Sequence, residues 1–199
     1  QRKRETLVVV RGGGDIATGT IQKLWNSGFG LVILETDRPT AIRRKVALSQ
    51  AVYEGTATVE DLTAARIEST VEIEKEWKKG RIPFLVDPEC RCLEELKPLA
   101  LVDAILAKKN LGTHRKMAKY TLALGPGFTA GADVDLVIET MRGHSLGRII
   151  REGSAMPNTG VPGIIAGYGK ERVVHAPADG TLHILHDIGD SVEKGEPLG

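Results

Sequence analysis

Two rhythms alternate along the first part of the chain. Short uninterrupted apolar runs, Leu7-Val8-Val9-Val10 and Leu31-Val32-Ile33-Leu34, read as buried strands. Between them Ala17, Ile21, Leu24 and Trp25 recur at helical spacing, and Ser27-Gly28 supplies a helix end. The order is therefore strand, turn, helix, strand. The same reading predicts a third strand around 46–52 and a polar, helix-favouring stretch over 59–80 with a short strand at 65–68. It predicts a buried strand over 82–88 stopped by Asp87-Pro88, a short helix over 93–97, and strands at 100–103, 120–124 and 134–140. Strands separated by helical stretches imply a mostly parallel α/β sheet, with ligands taken at the carboxyl ends of the strands.

The turn between the first strand and helix carries the candidate chemistry. Gly12, Gly13 and Gly14 lead into Asp15, Ile16 and Ala17, so Gly12, Gly14 and Ala17 spell G-x-G-x-x-A. In a dinucleotide-binding loop the first glycine permits the sharp turn and the second admits a pyrophosphate to the backbone. The small third residue lets the helix lie against the strand. The helix then offers free N–H groups and partial positive charge to an anion. Glu35 closes the second strand 21 residues after Gly14, where a ribose-binding acid is expected about 20 residues on. A Rossmann-like nucleotide-binding domain over 1–152 is the expectation, with NAD(P) or another nucleotide as the ligand.

Other residues add candidate chemistry. Arg43 and Arg44 are adjacent, so at most one faces a site; Arg43 is taken as an anion-binding candidate. Asp103 ends a strand at the ligand-binding edge and is an acid–base candidate, with Lys108 and Lys109 close behind to neutralise phosphate or a pterin-borne anion. Gly125 and Gly127 form a second glycine-rich loop after a strand, without the Gly-Lys-Ser/Thr ending of a phosphate-binding P-loop. His144 is the other acid–base candidate, because an unperturbed imidazole titrates near neutrality. Cys90 and Cys92 form a C-x-C pair, too few ligands for a metal signature, and no metal site is assigned.

Composition narrows the class. With 41% hydrophobic and 27% charged residues the chain is an ordinary globular one. A net charge of +1 argues against nucleic acid as the main partner. No apolar stretch approaches the ~20 residues of a membrane span. The start, Gln1-Arg2-Lys3-Arg4-Glu5, has no signal-peptide pattern. A cytoplasmic protein is expected, with no membrane partner and with a homo-oligomer allowed. The absence of an initial Met suggests a fragment or a processed chain.

After residue 152 the composition shifts. Residues 153–170 are rich in Gly and Pro and read as a linker. Residues 171–199 read as all-β, with strands at 172–176, 181–185 and 190–192. The segments APADGT (176–181) and IGDSVEKGEPLG (188–199) resemble the first half of a biotinyl/lipoyl-type barrel-sandwich hybrid, so a truncated β module is expected. Such a carrier places its modified lysine on a later hairpin, so a structural or lid-like role is preferred over a swinging arm.

Six segments carry a wider resemblance: VVVRGGGDIATG (8–19), RPTAIRRKVALSQAVYEG (38–55), VDAILAKKNLGT (102–113), LGPGFTAG (124–131), IETMRGHSL (138–146) and NTGVPG (158–163). Together they resemble the YqeB family, accessory proteins of selenium-dependent molybdenum hydroxylases. The resemblance implies a bacterial cytoplasmic factor that acts in maturing such a hydroxylase or its cofactor. It implies the hydroxylase and its maturation proteins as partners, and a molybdopterin cofactor as a possible ligand. It supplies no reaction. Two other readings stand beside it: a non-catalytic scaffold or chaperone that docks the hydroxylase, and an NAD(P)-dependent dehydrogenase, since GGGDIAT also resembles the loop of precorrin-type tetrapyrrole dehydrogenases.

Overall fold

The computed structural model describes residues 4–199; Gln1-Arg2-Lys3, part of the start that argues against a signal peptide, lies outside them. The chain divides into two compact units, Gln1–Asn158 and Thr159–Gly199. The first unit extends past residue 152 because Ala130 N–H donates to the Gly153 carbonyl at 2.7 Å and Ala155 is buried against Phe128 and Val137.

The first unit is built on one nine-stranded sheet. Its strands are β1 (Leu7–Arg11), β2 (Gly30–Glu35), β3 (Thr56–Val59), β4 (Leu62–Ile67), β5 (Ile82–Val86), β6 (Ala100–Asp103), β7 (Tyr120–Leu124), β8 (Leu136–Ile138) and β9 (Ile149–Ile150). They lie in the order β3-β4-β5-β2-β1-β6-β7-β8-β9. All neighbours run parallel except the two edge pairs, β3 with β4 and β8 with β9. Leaving out β3, β4 and β9, the order is third, second, first, fourth, fifth, sixth, that of a doubly wound dinucleotide-binding sheet. The strand order reverses between β1 and β6, the kind of point beyond whose carboxyl strand ends open α/β sheets generally take ligands.

Helix α1 (Asp15–Asn26) covers one face. Its Ala17, Ile21 and Trp25 pack with Val8, Val10, Ile33 and Phe84. On the other face Val9, Val32, Leu34 and Leu101 meet Ile73 and Leu93, which belong to the short helices α3 (Ile73–Lys78) and α4 (Leu93–Leu96). Burial on both faces is why β1 and β2 read as continuous apolar runs rather than alternating ones.

Two local expectations are corrected. Residues 46–52 are not a strand. They form 3-10 turns that run into helix α2 (Ala51–Glu54), and Leu48, Ala51 and Val52 are buried at i, i+3 and i+4 while Val46 is exposed. Residues 59–67 are not helical. β3 and β4 form a hairpin in which Thr58 and Thr63 hydroxyls meet at 3.0 Å across the strands, and Glu60 takes the left-handed turn position at φ 52°. The hairpin caps an edge, so its polar side chains face outward and masked the strand signal.

The second unit holds one isolated bridge, Ile165 with Tyr168, and a 3-10 turn at Lys170–Arg172. The strands expected at 172–176, 181–185 and 190–192 are not formed. Tight turns stand in their place: Asp190 accepts from Asp187 N–H at 2.7 Å and Glu196 from Glu193 N–H at 2.8 Å. Val174, Leu182 and Leu185 are 77%, 70% and 65% exposed. Without apolar burial, nothing offsets the entropy of ordering a lone hairpin.

Cys90 and Cys92 sit in the turn before α4, buried among Ile67, Ile73 and Leu93. Burial pushes the Cys90 thiol up to about 11, and burial with the neighbouring Asp87 pushes Cys92 higher still. Both are therefore protonated and unreactive at neutral pH. A thiol-specific reagent at pH 8 should leave the native protein unlabelled over minutes and label both cysteines once urea unfolds it. Rapid labelling of either thiol in the native state would contradict this placement.

Candidate functional site

The glycine loop is held from several sides by its own protein. Gly12 N–H donates to the Leu34 carbonyl at 2.7 Å, and Gly13 N–H donates to Glu35 Oε2 at 2.8 Å. The second Glu35 oxygen accepts from Thr36 N–H at 2.9 Å. Ser49 N–H donates to the Gly13 carbonyl at 2.8 Å, and Thr18 Oγ1 bridges the Gly14 carbonyl (2.8 Å) and Leu48 N–H (3.1 Å). The segment around Leu48 and Ser49 thus braces the loop.

The three glycines have different reasons to lack a side chain. Gly12 has φ +97°, and a Cβ there would stand 2.9 Å from the Ala104 carbonyl oxygen. At Gly13 a Cβ would press on Ser49 backbone at 3.1 Å and on Phe84 at 3.3 Å. Gly14 alone faces open space. It is the N-cap of α1 with extended backbone (φ −66°, ψ −176°), and its side chain supplies no cap. The first-turn N–H groups of Asp15, Ile16 and Ala17 have no intrahelical acceptor and are available there. Ala17 is fully buried against the sheet, as the motif requires, while Ile16 is 46% exposed.

Charge at this helix end is balanced within the protein. Arg43 Nη2 pairs with Asp15 Oδ2 at 2.6 Å, and both groups are partly exposed. The fork that could meet an anion is therefore parked on a carboxylate one residue beyond Gly14.

The second glycine loop reaches the same edge of the sheet. Gly125 (φ +76°) packs beneath Thr140 Oγ1 and Leu106, where a Cβ would come within 2.7 and 3.1 Å; Gly127 (φ +107°) lies against Lys108 and Lys109 backbone, where a Cβ would come within 2.6 Å. Both loops thus press on the stretch that leaves β6. Phe128, between Gly127 and the next strand, is buried in the core of the far sheet end with Ala123 and Val137.

Asp103 is not a free acid. It is 2% exposed, accepts from Thr113 Oγ1 at 2.6 Å and from Ile105 N–H at 3.2 Å, and lies 3.6 Å from Arg11 Nη1. Arg11 is itself buried and donates to Thr113 Oγ1 (2.6 Å) and the Pro88 carbonyl (2.9 Å). Asn110, whose Oδ1 accepts from Gly112 and Thr113 N–H at 2.8 Å each, shapes the turn that presents Thr113. The pattern of residue types pointed to Asp103; it did not disclose Arg11 and Thr113. An arginine ending an otherwise apolar central strand was the available signal for the first.

His144 is exposed in the turn between β8 and β9, three strands along the sheet from β1. The structure does not bring it to Asp103 or to the glycine loop. Glu139, three residues before that turn's first exposed position, Arg142, is buried. Burial raises its carboxyl pKa, but the Met156, Met141 and Thr140 N–H groups outweigh this and hold it below the usual carboxylate range. Among the described residues no group of three or more His, Cys, Asp and Glu could hold a metal ion, and no helix is long and apolar enough to cross a membrane.

The chain is similar to a protein of Escherichia coli (strain K12) named "Uncharacterized protein YqeB", with 53% identity over 192 residues. The match covers 96% of this chain and 36% of that protein, so the chain spans about a third of its relative's length. No protein-family model and no solved structure matches the chain.

Three outcomes follow from this geometry. Asp103→Ala leaves Arg11 buried without its counter-charge and should cost about 3 kcal/mol in urea denaturation, whereas His144→Ala should change stability by less than about 0.5 kcal/mol. Glu139 is held ionised in the folded state, so its contribution is present above its unfolded pKa and is lost as pH falls through its lower folded value. Glu139→Gln should therefore flatten the acid limb of a stability–pH profile; an unchanged limb would contradict the assignment.

Proposed function

We propose that this chain is the nucleotide-binding part of a YqeB-type accessory factor for selenium-dependent molybdenum hydroxylases. The observation that carries the reading is the glycine loop at the point where the strand order reverses, with Gly14 as its single glycine open to a ligand. A nucleotide would lie across the carboxyl edge of the sheet. Its ribose would meet Glu35 at the end of β2, whose oxygens retain acceptor capacity beside their backbone bonds. Its phosphates would meet the Gly14 turn and the first N–H groups of α1. Such a ligand could be NAD(P), another nucleotide, or the nucleotide portion of a molybdopterin cofactor. The hydroxylase and its maturation proteins are the proposed partners, with residues 171–199 as a docking element.

Within this reading, holding a cofactor is favoured over transforming it. Asp103 is committed to Arg11 and Thr113, and both thiols are buried and protonated at neutral pH. A scaffold that keeps a cofactor and presents it to an enzyme needs no nucleophile.

Calorimetric titration of the protein with NAD(P)(H), ATP, CTP and molybdopterin nucleotides tests the reading. At least one of these should bind, and Gly14→Asp, which places a carboxylate where phosphate would lie, should abolish that binding without unfolding the protein. Failure of all of them to bind would leave the loop a purely structural turn.

A further inference from the structure

The carboxyl edge of the sheet has a definite sequence of surfaces. Glu35 stands at the end of β2, Gly12 to Gly14 at the end of β1, the stretch 104–109 at the end of β6, and Gly125 to Gly127 at the end of β7. Three glycines hold the middle stretch. Gly12 lies against Ala104 and Ile105, and Gly127 against Lys108 and Lys109, both too closely for a Cβ, while Gly125 packs more loosely on the Leu106 side chain, where a Cβ would come within 3.1 Å. Leu106 and Lys108 are driven into the left-handed region at φ 57° and 62°. The clamped stretch ends in two adjacent exposed cations, Lys108 and Lys109, which have no hydrogen-bond or ion-pair partner among the described residues. Arg43, near the glycine loop, is already matched by Asp15.

We infer that Lys108 and Lys109 form the distal subsite of the crevice and select a nucleotide whose far end is a free terminal phosphate. This rests on the nucleotide reading proposed above. With the ribose at Glu35 and the first phosphates at Gly14, whatever continues along the edge arrives at the end of β6. A dinucleotide would bring a second nucleoside there, with both phosphates esterified. A nucleoside di- or triphosphate would bring unesterified phosphate oxygens, which two ammonium groups can meet with charge-assisted hydrogen bonds. Because the lysines are placed by backbone packing rather than by partners of their own, their charge is available to the ligand.

The test is calorimetry on the whole protein with ATP, ADP, AMP, NAD+ and inorganic tripolyphosphate, in buffer free of divalent cations. The variants are Lys108→Ala/Lys109→Ala, both at exposed positions, and Gly14→Asp. ATP should bind about tenfold or more tighter than NAD+. The double variant should remove that advantage and leave NAD+ affinity unchanged, and Gly14→Asp should abolish both. If NAD+ binds as tightly as ATP, or the double variant keeps the ATP preference, the subsite is overturned while the nucleotide reading stands. Tripolyphosphate binding as tight as ATP and indifferent to Gly14→Asp would mark the lysines as a general anion patch and also overturn it. If no nucleotide binds the unaltered protein, the nucleotide reading itself falls, and the subsite with it.

Discussion

Arg11 is a charge removed almost wholly from water at the carboxyl end of the central strand, and the surrounding chain is arranged to satisfy it. A buried guanidinium left unpaired would be strongly destabilising. Its partners come from three separate segments: Asp103 from the adjacent strand, the Pro88 carbonyl from the turn after β5, and Thr113 from the long connection between β6 and β7. That connection, residues 104–119, holds no α-helix, only one 3-10 turn at Arg115–Met117. A helix would satisfy its own backbone and bury an apolar stripe. This segment instead is fastened at Thr113 by a polar anchor and at 104–109 by close backbone contact. The anchor does for the β6–β7 crossover what α1 does for the β1–β2 crossover.

The same constraint links the two glycine loops. Arg11 and Gly12 are adjacent, as are Asp103 and Ala104. Pairing the first and third of these forces the second and fourth into contact, and only a residue without a Cβ tolerates the approach of the Ala104 carbonyl. From there the chain crosses β7, where Gly125 and Gly127 admit it in turn. Two motifs that look independent in the sequence, some 110 residues apart, are opposite walls of one stretch of backbone. Most of the glycines in both serve the packing of protein on protein. Gly14 is different because nothing of the protein stands within 4 Å of where its Cβ would be.

This division explains what was legible beforehand and what was not. Strands β1, β2, β5, β6 and β7 are apolar runs stopped by polar or turn residues, so local composition sufficed. Helix α1 declared itself through Ala17, Ile21 and Trp25. The hairpin of β3 and β4 did not, because an edge hairpin buries one side only and its Thr and Glu residues read equally well as an exposed helix. Residues 46–52 failed in the opposite sense: a β-branched residue at each end suggested a strand, while burial of Leu48, Ala51 and Val52 required a helical turn. The glycine loop and Glu35 were found together by spacing, and the structure joins them by a hydrogen bond. Asp103 was singled out by its position at a strand end, but its partner Thr113 lies across a connection whose path no periodicity encodes. Residues 171–199 form turns and lack the expected ladder, since turns are specified locally and strand pairing needs a partner.

The charge arrangement at α1 bears on what kind of ligand fits. A helix N-terminus favours an anion, yet two carboxylates already stand there, Glu35 on Gly13 and Asp15 in the first turn. Glu35 stabilises the loop by accepting a backbone N–H, which pre-organises the turn before any ligand arrives and lowers the entropic cost of binding. Asp15 would repel phosphate, but its pairing with Arg43 cancels most of that field at close range. A phosphate entering at Gly14 therefore meets N–H groups and a roughly neutral ion pair, so this end supplies geometry more than charge. Net attraction for a polyanion has to come from elsewhere along the edge. Lys108 and Lys109, exposed on the stretch that the two glycine loops hold in place, are cations along that edge.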